Sequence, residues 1–169
     1  MLSRKVIITG SFGVGKTSLF NRFVYARFDE KYLTTIGVKV DKRTVEVDDT
    51  EISLLLWDIA GEVRQDKVPK SYFLGAAGII YVFDLSRPST YDNLAADLEY
   101  LRGLLPDAKV MCVGNKADLL NDTEQATIQQ RLMINTDYLT SAKTGENVEQ
   151  LFYDLAKTLV NDVSAARPS

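Results

Sequence analysis

The part of this 169-residue chain with the clearest chemical content is the run Gly10-Ser11-Phe12-Gly13-Val14-Gly15-Lys16-Thr17. It fits the pattern G-x-x-x-x-G-K-[ST] at every fixed position, and it lies between a short apolar run and a helical pattern. Glycines at positions 10, 13 and 15 allow backbone dihedrals that turn successive N–H groups inward as a nest for an anion. The start of the following helix adds its dipole. The sequence therefore predicts a phosphate-binding loop.

Two side chains at the end of this loop extend the prediction to a metal-bound nucleotide. We expect Lys16 to reach the β- and γ-phosphates as a point charge, and the Thr17 hydroxyl to ligate Mg²⁺. The loop by itself does not distinguish ATP from GTP.

A second polar motif, Asn115-Lys116-Ala117-Asp118, directly follows the apolar run Val110–Val113. Ligands bind at the carboxyl ends of strands in open α/β sheets. Guanine presents two adjacent donors, N1–H and N2–H₂, and the Asp118 carboxylate can accept both, whereas adenine offers neither in that arrangement. After the last predicted strand, Ser141-Ala142-Lys143 places the Ala142 amide where it can donate to guanine O6. The pair of motifs favours guanine.

The remaining pattern consists of apolar runs that alternate with helical patterns. Strands are expected at 6–8, 38–47, 52–57, 79–83, 110–113 and 138–139, with a polar hairpin turn at 48–51. Helices are expected after Lys16, from Pro88 to about Leu105, over about 123–133, and from Val148 onward. This predicts one α/β domain over 1–169: a six-stranded, mostly parallel sheet with one antiparallel edge strand and helices on both faces.

Composition excludes several classes of site. The chain has no His and one Cys, Cys112, so it cannot build a Ser-His-Asp or Cys-His nucleophile, a four-ligand structural zinc site or an internal disulfide. A net charge of −3 argues against nucleic-acid binding. No apolar run suggests a membrane span or a signal peptide, and the polar tail contains no Cys for prenylation. We expect a cytoplasmic monomer without a covalent lipid anchor, which reaches membranes only through a partner or an extension outside this chain.

These motifs together resemble the Ras-like small GTPases, and most closely their Rab branch, over about residues 4–163. Besides the segments above, the matching pieces are Thr34-Thr35-Ile36-Gly37-Val38, Trp57-Asp58-Ile59-Ala60-Gly61 and Tyr72-Phe73-Leu74-Gly75-Ala76. The resemblance implies a P-loop, Ras-like G domain that binds GTP or GDP with Mg²⁺ and hydrolyses GTP. It also implies effector, exchange-factor and activator partners that contact two switch segments, at about 28–40 and 58–75.

The resemblance also assigns roles to individual residues. The implied nucleotide-binding residues are Gly13, Val14, Gly15, Lys16, Thr17, Ser18, Phe28, Tyr32, Thr35, Gly61, Asn115, Lys116, Asp118, Ser141, Ala142 and Lys143. Phe28 would pack on the guanine ring and Tyr32 would close over the phosphates. The implied metal ligands are Thr17, Thr35 and, through water, Asp58. The residues implied in hydrolysis are Lys16, Thr35, Gly61 and Glu62.

Two departures from the family pattern affect the hydrolytic machinery. Glu62 stands where the family usually has a Gln that orients the attacking water. Its carboxylate could repel the γ-phosphate and slow hydrolysis, or it could act as a general base. Phe12 stands where the family usually has a small residue, and its ring would either crowd the phosphate site or turn outward onto a switch segment. The segment 63–67 also lacks the usual Glu-Arg-Phe.

Three functions therefore compete. The first is a Mg²⁺-dependent GTPase switch with slow intrinsic hydrolysis. The second is a GTP-locked binding module that hardly hydrolyses, which Glu62 and Phe12 motivate. The third is a P-loop ATPase or nucleotide kinase, against which Asp118 argues.

Overall fold

A computed structural model describes residues 1–29, 35, 37–62, 64–132 and 135–166. The strands are β1 (Leu2–Gly10), β2 (Val38–Val47), β3 (Thr50–Ile59), β4 (Ala76–Asp84), β5 (Lys109–Asn115) and β6 (Tyr138–Leu139). The helices are α1 (Lys16–Tyr25), α2 (Leu94–Leu104), α3 (Asp122–Leu132) and α4 (Val148–Ala166). Short 3₁₀ turns occupy 65–67, 70–73, 88–90 and 117–119.

The six strands form one sheet in the order β2-β3-β1-β4-β5-β6. Only the β2–β3 pair is antiparallel, and the hairpin turn between these strands consists of Asp48 and Asp49, both with positive φ. The other pairs are parallel, so β1, β3, β4, β5 and β6 all end at the same edge. The predicted fold class is confirmed.

Helices cover both faces because the buried strands carry apolar side chains on both sides. Val6 and Ile8 of β1 face the cluster that contains the buried residues of α1 and α4. Ile7, between them, faces the other cluster, which contains the buried residues of α2. Partly buried Ile128 and Leu132 of α3 pack against this second cluster. The two cores hold the sheet edge in place from both sides.

The predicted start of α2 at Pro88 is wrong, since the helix begins at Leu94. Residues 88–90 form a separate 3₁₀ turn, and the Thr90 hydroxyl donates to the Arg87 carbonyl at 2.8 Å and accepts from the Asp84 amide at 2.9 Å. These bonds hold residues 88–90 against the end of β4. The α-helix therefore begins only after this turn, at Leu94. Among the described ranges, no helix combines the length and apolar character that crossing a membrane requires.

Candidate nucleotide-binding site

A cleft of about 270 Å³ opens at the edge where the parallel strands end. Most of the predicted site residues line it: Gly13, Gly15, Lys16, Thr17, Ser18, Phe28, Thr35, Gly61, Asn115, Lys116, Asp118, Ala142 and Lys143. Val14, Asp58 and Ser141 are buried beside it, and Glu62 is exposed. Tyr32 lies outside the described residues. Five separate loops therefore contribute residues to one concave surface.

The phosphate loop takes the backbone conformation that its glycines were expected to allow. Gly10, Gly13 and Gly15 all have positive φ, at 147°, 74° and 99°. At Gly15 the constraint is also spatial, because an added Cβ would lie 2.2 Å from Nδ2 of Asn115. The helix α1 begins at the next residue, Lys16, so its free N–H groups point to the cleft.

Lys16 is the buried cation of this loop. It is 6% exposed, and its Nζ donates to the Ser11 carbonyl at 2.7 Å. Burial lowers the pKa of Lys16 to about 8, an effect that the charge of Asp58 partly offsets. A desolvated ammonium at the start of the helix can bind an anionic phosphate group.

Three oxygen-bearing side chains converge below the phosphate loop. The Thr17 hydroxyl lies 2.6 Å from Oδ2 of Asp58 and 2.5 Å from the Thr35 hydroxyl. Asp58 is fully buried, and its Oδ1 has no hydrogen-bond partner within the part of the chain that the structure describes. Burial raises the pKa of Asp58, and the Thr17 bond partly offsets this. Hard oxygen ligands around an unsatisfied carboxylate oxygen fit Mg²⁺.

Asn115 connects the loops at the opposite end of the cleft. Its Nδ2 donates to the Val14 carbonyl at 3.0 Å, and its Oδ1 accepts from the Thr140 hydroxyl at 3.1 Å and the Ala142 amide at 3.3 Å. Asn115 is 1% exposed although it lines the cleft. It therefore joins the phosphate loop to the Ser-Ala-Lys loop.

Asp118, whose carboxylate is predicted to bind guanine, is held by a neighbouring loop. The Ser141 hydroxyl donates to Oδ1 of Asp118 at 2.7 Å and also accepts from the Thr144 amide at 3.1 Å. Lys116 has positive φ, and its Nζ lies 2.9 Å from the Gly13 carbonyl and 3.0 Å from Oδ2 of the buried Asp84. The lysine stem is therefore fixed at both ends across the floor of the cleft.

The segment after β3 lies against the phosphate loop. An added Cβ at Gly61 would lie 2.5 Å from Cα of Phe12, so only glycine allows this approach. The Glu62 amide donates to the Gly10 carbonyl at 3.2 Å. Phe12, 49% exposed, lines the same end of the cleft. Both departures from the family pattern thus lie at the phosphate end.

A buried polar chain anchors the continuation of that segment. Gln65 is fully buried, and its Oε1 accepts from the Thr9 hydroxyl at 2.5 Å. The backbone amide of Gln65 donates to Oδ1 of Asp97 at 3.2 Å, and the Tyr81 hydroxyl donates to Oδ2 of Asp97 at 2.7 Å. Sequence reasoning did not predict this network, because Gln65 looks like a polar loop residue and Asp97 like an exposed helix residue.

Sequence reasoning also missed three residues that line the cleft, Asn21, Asp29 and Leu119. Leu119 directly follows Asp118, and Asn21 lies one helical turn after Thr17, so motif adjacency and helical spacing were the available signals. Arg87, which contacts the phosphate loop from outside, had no signal in the sequence.

Comparison with known proteins agrees with this geometry. The model of the Ras family matches residues 5–161. Rab-4B from Homo sapiens is 37% identical over 166 residues, which cover 95% of this chain and 78% of that protein. Rab-8B from Homo sapiens is 33% identical over 169 residues, covering 95% and 80%. Rab-4 from Dictyostelium discoideum is 34% identical over 166 residues, covering 95% and 81%.

One cleft brings together the glycine-rich loop, a buried lysine, an oxygen cluster suited to Mg²⁺ and the carboxylate predicted to bind guanine. The chain belongs to the Ras family, in its Rab branch, and is a small GTPase that binds GTP or GDP with Mg²⁺ and hydrolyses GTP to GDP.

Proposed function

We propose that this GTPase is a switch whose intrinsic hydrolysis is slow, because Glu62 and Phe12 alter the phosphate end of its site. The observation that carries the proposal is the close approach of Gly61 to the Phe12 backbone, 2.5 Å from an added Cβ to Cα. That approach places the residue after Gly61 beside the loop position that should face the γ-phosphate. Both substitutions are therefore proposed to affect the γ-phosphate.

The carboxylate of Glu62 has the wrong charge for the role of the usual glutamine. An amide can accept a hydrogen bond from the attacking water and donate one to the phosphate oxygens, whereas an ionised carboxylate only accepts. A negative charge at this position would also repel the anionic oxygens of the γ-phosphate, which acts against the charge stabilisation that the transition state needs. These two effects both slow the reaction. The alternative, that Glu62 works as a general base, predicts the opposite sign on removal of its charge.

Phe12 is expected to reduce stimulation by an activator. A half-exposed aromatic ring on the cleft surface occupies space that an arginine supplied in trans would need. Such an arginine contributes about 10³–10⁵ in rate where it can enter. A chain with both substitutions should therefore keep GTP for longer than one with Gln and a small residue at these positions.

Guanine is proposed to bind to the Asp118 carboxylate and the Ala142 amide, with its ring packed on Phe28. Thr17, Thr35 and Asp58 would hold Mg²⁺, which screens phosphate charge when bound. Thr35 sits in the first switch segment and Gly61 in the second, so loss of the γ-phosphate would release both. Effectors and regulators are proposed to contact these segments on a monomer, where the apolar side chains of Val40 and Leu74 are 52% and 71% exposed.

Single-turnover phosphate release from the GTP-loaded protein tests the proposal. We expect Glu62→Gln to speed release at least about tenfold, since it restores the amide and removes the charge. The matched control is Glu46→Gln, the same change on exposed β2 near the hairpin turn, at the end of the strand away from the cleft. Phe12→Gly should raise the intrinsic rate less than Glu62→Gln does, and it should restore the response to an added arginine-donating activator.

Three results distinguish the competing functions. Slower release from Glu62→Gln would show that Glu62 is a base and would refute the slowing role. GTP that co-purifies and persists for many hours would indicate the locked module, whereas GDP would indicate turnover. An unchanged guanine affinity in Asp118→Asn would refute the placement of the base.

A further inference from the structure

Arg87 lies on the loop that follows β4, outside every motif that the sequence reasoning used. Its Nη1 donates to two main-chain carbonyl oxygens of the phosphate loop, those of Phe12 at 3.3 Å and Gly13 at 3.2 Å. These contacts join residues that are 75 and 74 positions apart. An arginine is thus bound to the outer side of the loop whose inner side is expected to hold the phosphates.

The arginine is positioned by its own loop. Its amide donates to the Asp84 carbonyl at 3.0 Å, and its carbonyl accepts from the Thr90 amide at 3.0 Å and hydroxyl at 2.8 Å. Its Nη1 also lies 3.9 Å from Oδ2 of Asp84, a carboxylate with 0% side-chain exposure. The backbone of Arg87 is therefore held by hydrogen bonds, and its guanidinium lies near a buried carboxylate. The Arg87 side chain is nevertheless 45% exposed.

The Gly13 carbonyl accepts from two cations, Arg87 and the Nζ of Lys116 at 2.9 Å. Both cations share Asp84, since Lys116 Nζ lies 3.0 Å from its Oδ2. Asp84 is further held by Ser86, whose amide and hydroxyl donate to Oδ1 at 2.9 and 2.6 Å. The outer side of the loop thus combines hydrogen bonds from two cations to its carbonyls with ion pairs from both cations to one buried carboxylate.

Each bound carbonyl belongs to the same peptide group as an amide of the loop. The Phe12 carbonyl shares its peptide with the Gly13 N–H, and the Gly13 carbonyl with the Val14 N–H. Because a trans peptide points N–H and C=O in opposite directions, fixing the carbonyls outward fixes these amides inward. A cation on the carbonyl also polarises the peptide and strengthens its N–H as a donor.

We propose that Arg87 is a positioning residue for the phosphate loop: it orients and polarises the Gly13 and Val14 amides, and so strengthens binding of the β-phosphate. The inference rests on the proposed placement of the phosphates against residues 13–17, and it is independent of the roles of Glu62 and Phe12. It predicts that Arg87 matters to the diphosphate and hardly at all to the base.

The test compares the dissociation rates of fluorescent GDP and GMP from Mg²⁺-loaded protein, because GMP lacks the β-phosphate. We expect Arg87→Gln to raise the dissociation rate of GDP about tenfold and that of GMP less than about twofold. Arg87→Lys keeps a cation, so it should raise the GDP dissociation rate less than Arg87→Gln does. Arg4→Gln, near the start of β1 and away from the loop, is the matched control. A GDP rate within twofold of wild type, or equal increases for GDP and GMP, would overturn the proposal.

A second measurement covers the case in which Arg87→Gln does not fold. Amide chemical shifts of GDP-bound Arg87→Lys should change most at Gly13 and Val14, with smaller changes at Asp118, and Arg4→Gln should leave all three in place. Unchanged shifts at Gly13 and Val14 would overturn the proposal. If wild type itself binds GDP no better than GMP, the placement of the phosphates fails instead, which the hydrolysis variants would show separately.

Discussion

Replacing Tyr81 by Phe removes one hydroxyl from the buried chain that anchors the segment after Gly61. Tyr81 is 1% exposed, and its hydroxyl donates at 2.7 Å to Asp97, which is 6% exposed. Within the described ranges, no cation forms an ion pair with Asp97 at 4 Å or less, so its carboxylate depends on the Tyr81 hydroxyl and the Gln65 amide. Burial raises the pKa of Tyr81, so the phenol stays a donor.

The expected cost follows from that geometry. A hydrogen bond to a charged group contributes about 1.5–3 kcal/mol, and a buried carboxylate oxygen left without a donor costs an amount in the same range. Phe fills nearly the same volume as Tyr, so no cavity adds to this. We expect Tyr81→Phe to lower the free energy of unfolding by about 2 kcal/mol. Asp97→Asn should be destabilising as well, and the double variant should show a coupling energy of about 1 kcal/mol or more.

Urea denaturation with saturating GDP and Mg²⁺ measures the free energy of unfolding, and bound ligand must be held constant between variants. Hydrogen exchange at the Gln65 amide reports local opening, which Tyr81→Phe should increase more than exchange in β5. The matched control is Tyr100→Phe on α2. The Tyr100 hydroxyl is buried, and it has no hydrogen-bond partner in the part of the chain that is described. Equal free-energy changes in the two variants would refute the reasoning.

Three further predictions follow. Gly15→Ala should weaken GDP binding at least about tenfold in competition with a fluorescent analogue, since its Cβ would lie 2.2 Å from Asn115 Nδ2 at a φ of 99°; unaltered affinity would refute the close contact. Cys112, 1% exposed and with its pKa raised by burial to about 12, should react with iodoacetamide at pH 8 only at the rate of unfolding; alkylation as fast as in a denatured sample would contradict this. Because the folded pKa is the higher one, the stability from this neutral thiol is complete below about pH 9 and is lost as the pH rises to about 12, with a slope of up to about 1.4 kcal/mol per pH unit that Cys112→Ala should remove.

Most of the fold could be predicted because its signals are local. Buried parallel strands appear as short apolar runs, and the exact bounds 38–47 and 138–139 of two strands matched the pattern. The start of α2 was mistaken because the bonds of Thr90 to Asp84 and Arg87 depend on where β4 ends in space. Motif reasoning likewise placed most site residues around one cleft, although their individual roles stay predictions.

What the sequence determined by itself is the chemistry available to this protein. Phosphate and guanine binding are predicted by a glycine-rich loop with Lys16 and Thr17 and by an aspartate after a buried strand. The absence of His excludes the nucleophile systems that need it. These signals are carried by residue type and short spacing, which need no knowledge of distant contacts.

Only the tertiary structure decided how the loops support one another. Asn115 bonding to Val14, Gln65 entering the core beside Thr9, and Arg87 reaching the Gly13 carbonyl all join positions 56 to 101 residues apart. Such contacts exist because parallel strands bring their carboxyl ends to one edge of the sheet. No local sequence pattern indicates which side chains will meet at that edge.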